Sequence, residues 1–332
     1  MSFLSDEAID RLRTVARPPK PGAERAIGDD GPEFVSERYT VTHEIGRGGM
    51  GTVYAAIDEA LGRDVAIKVS NTIASAAFER CLAAEARVLA KLEHPGIVPI
   101  HDVGRLADGR LFYVMKRVQG VTLREHLSGA GDLGERLRIF ERICEAVAFA
   151  HSRRILHRDL KPDNVMIGAF GEVMVMDWGV AKPLADENVA ATGGAAVEGA
   201  GDPGAPRTED GTIVGTHGFM APEQARGETA NLDERADVYA LGAILLALMP
   251  TPVPRPLRSI GAKALAPRPE DRYRSAAALR EDVAHYRAGQ AVGAHRETAW
   301  ERTVRVAKVY RTPILLVLAY MIMRALIAFT IG

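Results

Sequence analysis

The residues best suited to chemistry lie in one short run. His157-Arg158-Asp159-Leu160-Lys161-Pro162-Asp163-Asn164 sets a carboxylate and an amide five positions apart, in a loop that Pro162 restrains between apolar flanks. A second carboxylate follows in Asp177-Trp178-Gly179, directly after the strand-like residues 173–176. Asp159, Asn164 and Asp177 offer a proton acceptor and hard oxygen ligands of the kind Mg²⁺ takes. Upstream, Gly46-Arg47-Gly48-Gly49-Met50-Gly51 repeats glycine as G-x-G-x-x-G. Absent side chains let backbone N–H groups approach phosphate oxygens. The run is followed by strand-like residues 52–56 and not by a helix, which excludes the dinucleotide-binding arrangement. Taken alone it reads equally well as a plain hairpin turn. Val65-Ala66-Ile67-Lys68 places a lysine among apolar residues, a costly position for an unpaired cation. Glu85 shares a helical stripe with Phe78, Leu82, Leu89 and Leu92. Pairing Lys68 with Glu85 satisfies both charges and still leaves ammonium protons for phosphate. The other reading puts Glu85 at a solvated boundary.

These groups need elements to position them. Residues 39–45, 52–57 and 64–69 are short and rich in β-branched and aromatic residues, so they are expected as strands, with a hairpin turn over 59–63. Asp108-Gly109 makes another turn before residues 111–115. From Leu133 the pattern is helical: Leu137, Phe140, Cys144, Val147 and His151 share one face, which makes Cys144 a packed core residue and not a nucleophile. Helical pattern continues to about Gly289. A strand-rich front and helical back give an α+β, bilobal architecture. Residues 1–38 read as a flexible leader with no signal peptide, and the Gly/Ala/Pro-rich residues 190–211 as a mobile loop. The 332 residues are 47% hydrophobic and 26% charged, which excludes wholesale disorder. A net charge of −1 argues against a nucleic-acid partner, and two cysteines exclude a disulfide framework. Reduced, cytosolic thiols are expected.

With Ala221-Pro222-Glu223 further on, these motifs in this order resemble the Hanks-type Ser/Thr protein kinases of bacteria, over about residues 39–289. Trp178 in place of the usual Phe resembles a subgroup that carries Asp-Trp-Gly. The resemblance implies an antiparallel-sheet N-lobe (39–117) with a C-helix and a mainly helical C-lobe (118–289). It implies ATP beneath Ile45, Gly46, Gly48, Gly49, Gly51 and Val53. Lys68 would hold the α- and β-phosphates with Glu85 as its partner. Val53, Ala66 and Met166 would sandwich adenine, with Met115 as gatekeeper and the hinge backbone running through Val118. Asp159 would be the catalytic base, Lys161 would contact the transferring phosphate, and Asn164 and Asp177 would ligate Mg²⁺. Asp237 would brace the catalytic loop, Arg272 would pair with Glu223, and Thr216 would bond Asp159 and Lys161. Arg158 would meet a phosphate on the activation loop. Thr208 is the first candidate for that phosphate and Thr212 the second, modified in trans through transient self-association.

The resemblance implies a protein substrate presenting Ser or Thr. Residues 248–260 are much shorter than the family's usual region there, so the helix that docks substrates is expected to be largely missing. That leaves a nucleotide-binding pseudokinase scaffold as the alternative, against which the intact Lys68, Asp159, Asn164 and Asp177 speak. A small-molecule phosphotransferase is disfavoured by Ala221-Pro222-Glu223 and Lys161.

The tail is a separate matter. Residues 314–331 are apolar except for Arg324, and as a helix they span about 27 Å, close to a bilayer core of about 30 Å. Arg324 costs roughly 2.5–3.5 kcal/mol on insertion, which the Leu and Ile residues offset. Residues 313–332 are therefore expected to form a hydrophobic C-terminal helix that anchors the chain in membrane lipid. Residues 290–312 form a basic juxtamembrane segment with Arg302, Arg305, Lys308 and Arg311, which puts the kinase on the cytoplasmic face. The other reading is a short amphipathic or partner-binding helix. No sensor domain is expected beyond it.

Overall fold

Five strands form one antiparallel sheet in the order β1-β2-β3-β5-β4: β1 (Tyr39–Gly48), β2 (Gly51–Asp58), β3 (Arg63–Ile73), β4 (Ile100–Arg105) and β5 (Arg110–Lys116). The computed structural model describes residues 38–48, 51–73, 92–127, 131–178, 182–183, 216–228, 232–309 and 315–324. Directly opposed residues of antiparallel strands point to the same face, so the register sorts the side chains. One face gathers Tyr54, Ala56, Val65, Ile67, Val69, Phe112 and Val114 into the core of this lobe, with Tyr39 and Leu106. The opposite face carries Val53 across from Lys68, Lys68 across from Tyr113, and Ala66 across from Met115.

β1 and β2 reach further into the glycine run than strand signals indicate. Gly48 pairs with Gly51, so β1 and β2 form a hairpin that closes within the glycine run. A Cβ on Gly51 would stand 2.4 Å from the Val69 carbonyl oxygen, so β2 and β3 approach too closely for a side chain. β4 has no counterpart among the expected strands. Its sequence Ile-His-Asp-Val-Gly-Arg is half exposed and does not alternate between apolar and polar.

Below the sheet lies the larger, helical core. Helix α1 (Leu133–Ser152) starts where Asp132 accepts a hydrogen bond from Glu135 N, and buries the face expected of it, Leu137 to His151. Cys144 is fully enclosed there, and burial pushes its thiol pKa well up, as suits a packing residue. Helix α2 (Glu234–Leu248) is apolar almost all round and forms the centre of the lobe, buried from Ala236 to Leu248 apart from the half-buried Tyr239. Helix α3 (Arg255–Ala264) follows directly after residues 249–254, and Gly261 lets it close against Leu246 of α2. Helix α4 (Ala276–Arg287) packs on both α1 and α2, and helix α5 (Ala299–Val309) ends the strap that follows.

Short strands hold the loops between these layers. β6 (Gly120–Thr122), β8 (Val165–Gly168) and β9 (Val173–Val175) form a small antiparallel sheet, and β7 (Ile155–Leu156) pairs with β10 (Lys182–Pro183). The run His157–Asn164 is thus strung between β7 and β8, and Asp177 leaves the end of β9.

Residues 315–324 are helical and exposed, and no helix among the described residues is long and apolar enough to cross a membrane. Several expectations lie outside the described residues: the leader, Gly49, the stripe carrying Glu85, the loop 190–211, Thr208 and Thr212, and residues 325–331. The same holds for the side chain of Thr216.

Candidate active site

Asp237, in the first turn of α2, organises the loop from below. It is 1% exposed and accepts hydrogen bonds from His157 N at 2.8 Å and Arg158 N at 2.9 Å, while His151 Nε2 of α1 stands 2.8 Å from the same carboxylate. Burial alone would raise this carboxyl's pKa. The His151 hydrogen bond, the two imidazoles and the His157 N–H outweigh it and leave the pKa lowered. Arg158 sits at φ +67, a left-handed backbone rarely taken by residues with a Cβ, and the carboxylate holds it there. Gln224 Nε2 donates to the Arg158 carbonyl at 2.8 Å, tying in the helical turn Pro222–Ala225.

With the loop fixed, its polar groups converge. Lys161 Nζ donates to Asp159 Oδ2 at 2.7 Å. Asn164 Nδ2 donates to the Asp159 carbonyl at 2.7 Å and to Oδ2 at 3.2 Å. Met176 N donates to the Asn164 carbonyl at 2.8 Å, which ties the approach to Asp177 to the same loop. Asp177 also takes a left-handed backbone, at φ +56, and its carboxylate forms an ion pair with Lys68 of β3. Among the described residues Lys68 therefore meets Asp177. Glu85, its expected partner, lies outside them.

Trp178 is buried beside these groups. Its indole N–H donates to the Val175 carbonyl at 3.3 Å, and its ring lies 4.6 Å from that of His157. His157 Nε2 is in turn 3.0 Å from the Met176 carbonyl. The larger aromatic thus fits with its one polar atom satisfied.

The lobes meet at this point. Gly96 and Val98 exchange backbone hydrogen bonds with Val175, and the Lys68–Asp177 pair crosses from sheet to helical lobe. Val53, Ala66 and Met115 sit on the Lys68 face of the sheet. Val118 follows β5, half-buried, and Met166 lies on β8 opposite Met174. Ile45 is half exposed on β1 next to Gly46.

No cluster of three or more His, Cys, Asp or Glu that could hold a metal exists among the described residues. One amide and one carboxylate oxygen, from Asn164 and Asp177, stand on adjoining segments. That donor set fits Mg²⁺, which takes one or two carboxylates and fills its octahedron with phosphate and water, and does not fit an all-protein cage.

Two features escaped the reading of the sequence. Arg124, in the helical turn Leu123–His126, forms a two-pronged ion pair with Asp163 of the loop. The capping box of Thr122 and Glu125 that starts this turn is legible in sequence, but the pairing across 39 positions is not. The His151–Asp237 contact is the other. Its only signal was a histidine on an otherwise apolar helix face.

Arg272 and Glu223 form a bidentate pair, 2.7 and 2.9 Å, as the resemblance implies. Arg272 also donates to the carbonyls of Ala266, Arg235 and Pro267.

Comparison with known proteins agrees with this geometry. The protein kinase domain profile matches residues 39–265. Similar proteins include the serine/threonine-protein kinase PknB of Mycolicibacterium smegmatis, 36% identical over 313 residues, covering 83% of this chain and 47% of that one. The serine/threonine-protein kinase PknD of Chlamydia caviae is 34% identical over 302 residues, covering 76% and 31%. PknB of Mycobacterium tuberculosis is 34% identical over 295 residues, covering 78% and 44%. The chain spans less than half the length of these relatives.

Proposed function

We propose a function for this chain from one premise: it belongs to the protein kinase domain family. It acts as a protein serine/threonine kinase that moves the γ-phosphate of ATP to a Ser or Thr hydroxyl of a protein. The observation that carries this reading is the convergence of Asp159, Lys161 and Asn164 on one loop, with Asp177 paired to Lys68 across the lobes.

Asp159 accepts the hydroxyl proton as the substrate oxygen bonds to phosphorus and the bond to the leaving ADP oxygen breaks. Lys161, 2.7 Å from Asp159, orients that carboxylate and contacts the transferring phosphate. Lys68 exchanges part of its pairing with Asp177 for the α- and β-phosphates. Asn164 and Asp177 would hold Mg²⁺, which when bound would supply charge neutralisation to the phosphates. The glycine hairpin and Val53, Ala66, Met115, Val118 and Met166 enclose the nucleotide. Rate comes from positioning and charge, not from a covalent intermediate. Radiolabel transfer from ATP to protein, compared between wild type and Asp159→Asn, tests this. Loss of labelling is expected, and equal labelling would refute catalysis by this site.

Arg158 carries the regulatory part of the proposal. Burial lowers its pKa, and its buried Nε has no hydrogen-bond partner among the described residues. A guanidinium held this way suits a phosphate on Thr208 or Thr212, placed in trans by a second copy. Phosphosite mapping after incubation with ATP and Mg²⁺ checks it, and a chain left unmodified across 192–212 contradicts it.

Residues 313–332 anchor the chain in the membrane with the kinase on the cytoplasmic face. The exposed apolar side chains of 315–324 and the basic residues before them support this. Retention of the chain in carbonate-washed membranes is expected. Its release into the soluble fraction refutes the anchor.

A further inference from the structure

The chain between α4 and α5 is held down along its length. Asp282 of α4 accepts hydrogen bonds from Gly293 N at 2.6 Å, Ala294 N at 3.0 Å and the Tyr273 hydroxyl at 2.6 Å. Val292 is buried, and His295 Nδ1 lies 3.0 Å from Ser259 Oγ of α3. Thr298 and Glu301 then start α5 with reciprocal side-chain-to-backbone hydrogen bonds. Glu301 also stands 3.6 Å from Arg255 of α3 and 3.5 Å from His295. One turn on, Arg305 pairs with Glu297 and reaches the Gly289 carbonyl. The half-buried Glu301 and Arg305 thus mark the side of α5 that faces the strap and α3.

The rest of α5 has another character. At about 100° per residue, Thr303 falls opposite Glu301 and Arg305, with Trp300 about 60° to one flank of that side and Arg302 about 100° to the other, where a long arginine side chain can reach the same surface. Trp300 is 75% exposed, Arg302 and Thr303 are exposed, and Arg255 and Arg296 are exposed nearby. The two acids of this region are engaged with Arg255, Arg305 and the helix cap, so Arg296 and Arg302 have no ion-pair partner among the described residues and add positive charge to the surface. Lys308 and Arg311 follow in sequence, then the exposed apolar helix 315–324. A solvent-facing tryptophan with arginines before and after it, followed in sequence by an apolar helix, matches the boundary layer of a bilayer with anionic headgroups.

We infer that α5 is a lipid-surface contact clamped to the C-lobe by the strap, so that Trp300 and Arg302 meet anionic headgroups and hold the kinase lobes at one orientation to the bilayer. The inference extends the membrane attachment proposed above and rests on it for the side on which the bilayer lies. The contact does not require the anchor to span.

The full chain has two tryptophans, and Trp178 is buried. Trp300 emission, isolated by comparison with Trp300→Phe, therefore reports the contact. The probes are vesicles of phosphatidylcholine, with or without phosphatidylserine, containing brominated acyl chains. Quenching of Trp300 is expected in the phosphatidylserine vesicles. It should fall to the phosphatidylcholine level in Arg302→Glu and persist in Arg302→Lys. Unquenched emission from vesicle-bound chain, or equal quenching in both lipids, overturns the inference. Carbonate extraction of the same vesicles scores the anchor separately. Quenching with release sinks the anchor and keeps the surface contact, retention without quenching does the reverse, and no vesicle association sinks both.

Discussion

Two arginines, one at the Glu223 brace and one in the catalytic loop, show how differently buried charge is used in this chain. Arg272 sends its five N–H groups to the two Glu223 oxygens and to the carbonyls of Ala266, Arg235 and Pro267. Nothing is left for a ligand, so the group is structural. Arg158 is half-buried, its backbone is strained into the left-handed region, and its Nε has no partner among the described residues. In the candidate cleft Lys68 meets one carboxylate oxygen of Asp177, and both side chains keep some exposure. Arg272 has its donors accounted for within the protein, whereas Arg158 keeps a buried donor unused, which is the contrast the proposed phosphate contact relies on.

Breaking the brace should have the largest effect. Arg272→Ala strands the Glu223 carboxylate in the interior and should cost about 3–5 kcal/mol of stability. Thermal melting measures this, and activity should follow the folded fraction. Asp159→Asn should behave oppositely, with phosphate transfer down by roughly 10²–10⁴-fold and an unchanged melting temperature. A drop in stability there would blur the distinction between scaffold and cleft. Lys68→Met removes a partly exposed ion pair, so stability should move by no more than about 1 kcal/mol while ATP-dependent transfer is lost. Nucleotide titration and denaturant unfolding on the same sample separate the two.

The smallest effect is a pH response. For Glu223, burial would raise the pKa, but the Arg272 hydrogen bonds prevail and lower it; the Asp237 carboxyl is likewise lowered. Groups lowered in the folded state stabilise above the ordinary carboxylate pKa of about 4, and that contribution disappears as pH falls through the folded value. Urea midpoints measured from pH 5 to pH 3 should therefore fall less steeply in Glu223→Gln than in wild type.

Much of the site was legible because its groups are close in sequence. Asp159, Lys161 and Asn164 are fixed by one loop, and their spacing already implied an acceptor beside metal ligands. The strand that carries Lys68 was likewise legible from its β-branched residues, but not the face on which the lysine lies. Less was legible where pattern and position diverge. β4 lacks alternation because it is half exposed. The strap after Gly289 reads as a basic linker, yet Asp282 captures two of its amides.

Residue types and spacing were enough for the chemical inventory: two carboxylates and an amide, a glycine run between strands, a lysine on a strand and an apolar tail. Residue type and local periodicity suffice for these, since each depends on neighbours within a turn or a strand. The partners came from packing. Lys68 meets Asp177 across 109 positions, Arg124 meets Asp163 across 39, and Ser259 meets His295 across 36. Such contacts follow from how helices and sheet pack, and the distance between two side chains in a packed core bears no fixed relation to their separation along the chain.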